Sequence, residues 1–166
     1  MYNHYHFIEE LAKQHVEILH TAAKPRFFRS NGLASLDGLL ANISSVRLPA
    51  LVAEDGKDSR LADNLSDNII EHSVYTVYVL FPAKADEASV TAARVKAKAV
   101  AEDIVSVLRL NQVNGTNGLA LFDFNTVRMQ GIGPLGDNAH GVMLSYVVPA
   151  GAAVVFDPTR WTNVNS

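Results

Sequence analysis

From Ile69 to Phe81 the chain reads IIEHSVYTVYVLF, a run dense in β-branched and aromatic residues, and those residue types favour a pleated strand over a helix. Side chains alternate across a strand. Tyr75, Val77, Val79 and Phe81 therefore share one face, while Val74, Tyr78 and Leu80 share the other. Both faces are apolar, so both need cover. Helices can supply one layer, and a second layer or a neighbouring subunit must supply the other.

Two segments carry helical spacing. Tyr5–His20 places Ile8, Leu11, Ala12, Val16 and Leu19 together, with Glu9, Glu10, Lys13, Gln14 and Glu17 mostly elsewhere, which predicts an amphipathic helix ended by Lys24-Pro25. Asp86–Leu110 carries Val90, Ala93, Ala97, Val100, Ala101, Ile104 and Leu108 on one stripe, with Lys98 and Glu102 as an i,i+4 pair. That predicts a helix roughly 35 Å long. The turn residues Asn114-Gly115-Thr116-Asn117-Gly118 stop it. Leu33–Ile43 suits a short further helix, weakened at Gly38 by about 1 kcal/mol relative to Ala.

The remaining segments supply strands and turns. Val46–Glu54 is strand-like but contains Pro49, and proline in a sheet belongs at an edge or a bulge, so an edge position is expected. Asp55–Asp67 is polar and predicts an exposed loop or hairpin tip. Leu119–Phe124 and Asn125–Ile132 are strand material, followed by a turn at Gly133–His140 and a strand over Gly141–Val148. On that last strand Val142, Leu144, Tyr146 and Val148 face one way, and Met143, Ser145 and Val147 the other. The expected fold is one α+β domain over residues 1–166, an antiparallel sheet packed against an N-terminal helix and one long helix. Residues 149–166 form a C-terminal extension with Ala152–Phe156 as a short strand and Trp161 in a polar end.

Composition narrows the function classes. With 48% hydrophobic residues, 19% charged residues and a formal net charge of −3, the chain has an ordinary globular balance. It lacks the concentrated Lys/Arg stripe of a duplex binder, so no sequence-specific nucleic-acid partner is expected. Cysteine is absent, which excludes disulfides, thiolate metal sites and a cysteine nucleophile, and fits a reducing compartment. MYNHYHFIEELAKQH is amphipathic rather than basic then apolar, so no secretory leader is expected. No window approaches the roughly 18 apolar residues of a membrane span, and no membrane partner is expected. Asn42, Asn64 and Asn114 begin N-x-Ser/Thr triplets, which without secretion are chance matches.

Catalytic motifs fail on context. Gly131-Ile132-Gly133-Pro134-Leu135-Gly136 has the letters G-x-G-x-x-G, but a dinucleotide fingerprint must open a helix. Pro134, Asp137, Asn138 and Gly141 predict a turn into a strand instead, a glycine-rich hairpin. Of the six histidines, His15 and His20 stand five apart on the first helix, about 140° around it, not on the face a helical zinc pair uses. A metal site would need convergence of His72, His140 or carboxylates, and surface or capping histidines are the simpler reading. Asp55, Asp58, Asp63 and Asp67 lack the calcium-loop pattern, and Lys57 and Arg60 intervene. No G-x-S-x-G elbow is present. No catalytic residue, cofactor or metal is expected, and the protein is read as a non-enzyme.

Arg26-Phe27-Phe28-Arg29 reads as a loop with two aromatics between arginines, the residue types enriched at protein–protein hot spots. The same types serve single-strand stacking, and a core phenylalanine beside an exposed one accounts for them equally. With the charged loop, the candidate protein interface comprises Arg26, Phe27, Phe28, Arg29, Asp55, Lys57, Asp58 and Arg60.

The order helix, RLPALVAE strand, polar loop, HSVYTVYVLFPA strand, AARVKAKAVAEDIVSVL helix and a hairpin ending GIGPLGDNAHGVMLSYVV resembles small tail-terminator or tail-completion proteins of tailed phages and prophages. The run of strand, Gly-Pro, Asp-Asn, Gly and alternating final strand looks like a related group in Bacteroides-type prophages. The resemblance covers roughly Phe7–Val148 and rests on element order and turn residues. It implies an α+β fold and self-assembly into a ring, often hexameric. It also implies a place capping the tail tube and joining it to the head, with a tail-tube or head-tail connector protein as partner. Such a protein assembles in the host bacterial cytoplasm and stays in the virion. It has no catalytic residues to carry over, and the extension after Pro149 departs from it. An oligomeric interaction domain of other origin, or a small-molecule binder or enzyme, is the alternative.

Overall fold

The computed structural model describes residues 1–30, 47–54, 58–63, 69–136, 138–152, 154 and 159. Leu33–Ile43, Asp55, Lys57, Asp67 and Trp161 lie outside them. Helix α1 spans His4–Gln14, and the Asn3 side chain accepts the His6 N–H at its start. It ends well before Lys24-Pro25, correcting the expected extent to His20. His15 is extended, Leu19 takes a φ of 50°, and Ile18 turns into the core while Val16 and Leu19 face solvent. Burying Ile18 decides the path, and a positive φ cannot continue a right-handed helix.

Strand β1, Phe27–Ser30, runs parallel to β2, Ala50–Glu54, with Phe27 opposite Leu51. The expected aromatic loop is therefore a strand, stabilised by a ladder to a segment more than twenty residues away. The same pairing moves β2 inside the sheet, correcting its expected edge position. Pro49 precedes the ladder, which begins at Ala50, so its missing N–H costs no sheet hydrogen bond. Strand β3, Ser59–Asp63, pairs antiparallel with the first part of β4, Ile69–Pro82, and β2 pairs with the later part on the same side. The expected polar loop thus contains an edge strand.

Helix α2, Glu87–Asn114, begins at Asp86, whose carboxylate accepts the Ser89 N–H, and ends at Gly115 with φ 65°. β5, Asp123–Leu135, and β6, Ala139–Ala152, form the closing hairpin. β5 is one strand where two were expected, and Leu119–Phe122 forms a turn before it. The sheet order is β1-β2-β4-β6-β5, with β3 also on β4, and only β1–β2 is parallel among these pairs.

Both helices cover one face. Phe7, Ile8 and Ala12 of α1 and Ala93, Ala97, Val100, Ala101, Ile104 and Leu108 of α2 join Val77, Val79 and Phe81 of β4 and Val142, Leu144, Tyr146 and Val148 of β6 in the main core. The alanines let α2 approach the sheet closely. On the opposite face Leu48, Ala50, Val52, Tyr78, Leu80 and Ala139 form a second buried cluster. The two-faced apolar character of β4 is thereby met in its later half within the chain itself. Towards Ile69 the same face is only half-covered, at Ile70, His72 and Val74.

Candidate protein interface

That half-covered stretch floors a shallow trough of about 560 Å³ lined by Asp58, Ser59, Arg60, His72, Val74, Asp123, Thr126 and Val147. Strand register builds it: Val74 stands opposite Val147, which stands opposite Asp123, and Arg60 stands opposite His72. The Asp58 carbonyl accepts the Val74 N–H at 2.8 Å. Apolar valines form the floor, with charged groups at the ends and along one side.

The β5 wall is made by a break in the ladder between Asp123 and Arg128. Thr126 bridges it, its hydroxyl donating to the Asp123 carbonyl at 2.6 Å and accepting the Val147 N–H at 2.9 Å. Asp123 in turn accepts the Asn125 N–H at 3.0 Å. These bonds fix the Asp123 carboxylate at the trough's end. Asp58 lies three strand spacings away, about 14 Å between backbones at about 4.8 Å per spacing. Paired-carboxylate hydrolysis uses separations of about 5–9.5 Å, so these two acids do not form such a pair. Among the described residues no three His, Cys, Asp or Glu side chains cluster as a metal site.

Sequence reasoning placed Asp58 and Arg60 in the candidate set but missed Asp123, Thr126 and His72. Val74 and Val147 were legible as members of the second face. Only the register of β4, β5 and β6 brings these residues together.

The Arg26–Arg29 segment lies elsewhere, on β1 beyond β2, and is not joined to the trough. Arg26 donates from its guanidinium to the Ile18 carbonyl at 3.1 Å, and its N–H donates to His20 Nδ1 at 3.0 Å. Phe27 belongs to the main core, and Phe28 packs against the second cluster. Arg29 is exposed, pairs with Glu9 at 3.2 Å and lies 5.1 Å from the Tyr5 ring centre. Hydrogen bonding from Lys13, assisted by Arg29, holds the Glu9 carboxyl below its ordinary value. The aromatic pair is thus largely inserted in this chain's own packing. Asp55 and Lys57 lie outside the described residues.

The histidines divide by environment. His15 meets Asp103 at 3.2 Å, whereas His4 and His140 are buried rather than surface groups. His140 Nδ1 has no hydrogen-bond partner among the described residues. Gly131–Leu135 lies in β5 and Gly136 in the hairpin turn, so this glycine run opens no helix. No described helix is long and apolar enough to cross a membrane.

No family model matches this chain, and no curated protein matches it.

Proposed function

We propose that this domain is a structural assembly protein, a ring-forming tail terminator or head-tail joining component of a phage or prophage, built in the bacterial cytoplasm and retained in the virion. The trough carries the reading. An apolar strip of Val74 and Val147 rimmed by Asp58, Arg60, His72 and Asp123 has the apolar centre and polar rim of a protein–protein contact. The domain also displays Leu110, Val113, Leu121 and Phe124 to solvent near the end of α2, and exposed apolar groups in number favour association. The element order supports the tail-terminator form through its resemblance to that family.

The test is assembly state, measured by native mass and sedimentation across a concentration series, alone and with a phage tail-tube protein. A closed oligomer that binds tube ends is expected. A ring indifferent to tubes would favour an interaction domain of other origin. A monomer under every condition would remove the proposal.

A further inference from the structure

At the far edge of the sheet from β3, strand β5 ends the order, and among the described residues no strand pairs with its outer side. An open strand edge is a template for another strand. The regular part of β5 is Arg128–Ile132, bounded by register shifts on either side. Its length equals that of β3, Ser59–Asp63, a strand of 5 residues at the opposite side of the sheet. Ser59, Arg60, Leu61 and Asp63 of β3 are exposed.

Beside β5 runs a groove of about 410 Å³ between strand and helix, lined by Thr91, Arg94, Val95 and Lys98 of α2 with Met129, Gly131 and Val142. Val95 is 63% exposed and Met129 36%. Gly131 leaves the groove open, since a Cβ there would lie 4.0 Å from Arg94 Cδ and Nε. Arg94 has no acidic partner among the described residues, while Lys98 reaches Glu102 at 3.4 Å. The groove is basic with apolar spots.

We propose that this groove and the β5 edge receive β3 of a second copy, so that the sheet continues from one copy into the next. The proposal rests on the self-assembly reading above and names its contact. Three observations select β3 as the occupant. Neighbouring strands β3, β4, β6 and β5 alternate in direction, so a second copy in the same orientation presents β3 antiparallel to β5, the pairing with straighter hydrogen bonds. Leu61 stands opposite Glu71, and Met129 stands opposite Leu144 of the main core, so both exposed apolar residues lie on the helix side of their strands. The incoming strand places Leu61 against Met129 and Val95. It also brings Asp63, which stands opposite Ile69 and so shares the helix side with Leu61, towards the basic groove of Arg94 and Lys98, a complementary charge. Because the two surfaces differ and face opposite ways, the contact is heterologous and propagates head to tail, the kind that closes rings.

A charge exchange tests it. Arg94→Glu with Lys98→Glu, and separately Asp63→Arg, should each weaken assembly at least about tenfold, and mixing the two variants should restore it as an alternating oligomer. Because the chain contains 0 cysteines, Leu61→Cys and Met129→Cys on separate copies give a background-free second readout. A short bis-maleimide should join them to each other and not to themselves, which decides the matter even if a charge variant misfolds. Unchanged assembly by both charge variants, or cross-linking of Met129→Cys only to itself, would overturn the β3–β5 contact while leaving self-assembly standing. A monomeric wild type would overturn both.

Discussion

The phenolic oxygens of Tyr2 and Tyr146 lie 2.7 Å apart, tying the residues before α1 to the central length of β6. Tyr146 is fully buried, and its hydroxyl also stands 3.1 Å from His4 Nδ1. His4 Nε2 donates to the Thr76 carbonyl at 3.2 Å, which leaves Nδ1 as the acceptor for the tyrosines. Tyr2, Tyr146 and His4 form one hydrogen-bonded cluster, which His4 joins to β4. It anchors the start of the polypeptide to the two longest strands.

Tyr146→Phe should keep the ring, which packs edge-on to Phe122 at 5.8 Å between centroids, and remove only the hydroxyl. Losing a buried donor and acceptor costs about 1–3 kcal/mol. Urea unfolding should show a lower midpoint with an unchanged slope. An unaltered midpoint would mean that the hydroxyl cluster adds nothing to stability.

Burial raises the Tyr146 pKa, and burial also raises that of Tyr2, with the neighbouring phenol adding to the effect. A raised acid holds its proton in the folded state after the unfolded chain has lost it. The stabilisation is therefore complete below the ordinary tyrosine value of about 10 and is lost as pH rises above it, by up to about 1.4 kcal/mol per pH unit from Tyr146. Tyr78 is raised in the same direction, by burial first and then by its 2.8 Å hydrogen bond to Glu54. Phenolate absorbance followed with circular dichroism should show these tyrosines ionising together with unfolding. Ionisation of all five tyrosines near pH 10 in a still-folded protein would contradict this.

Adjacent phenylalanines should behave differently. Phe27 lies in the main core, so Phe27→Ala should cost about 3–5 kcal/mol. Phe28 is only partly buried against the second cluster, so Phe28→Ala should cost about half as much. Chemical denaturation of the two single variants checks the order. Equal costs would show that the β1 edge is covered as well as the core side.

Gly141→Ala should prevent normal folding. A Cβ at Gly141 would run into the Val79 carbonyl group and stand 3.2 Å from the Leu80 Cα, and backbone cannot yield as a flexible side chain can. A loss above about 4 kcal/mol is expected from such overpacking between central strands. Soluble yield and thermal melting measure it, and a fully stable variant would show that β4 and β6 can separate locally.

Local pattern determined much of this protein. Alternation along Val142–Val148 correctly separated the core side from the other face, and the Ala93–Leu108 stripe located the packed side of α2, because both are written in neighbouring residues. Tertiary structure alone decided that Phe27–Ser30 is a strand, that β2 lies inside the sheet and that Ser59–Asp63 forms an edge. Each depends on a ladder to a segment chosen by the whole fold, as in Phe27 with Leu51 or Ser59 with Ser73. The trough follows the same rule. Asp58 and Arg60 stood out as charges in a polar stretch, but Asp123 and Thr126 joined them only through the register of β4, β6 and β5, since strand pairing is a long-range choice that periodicity within one segment does not encode.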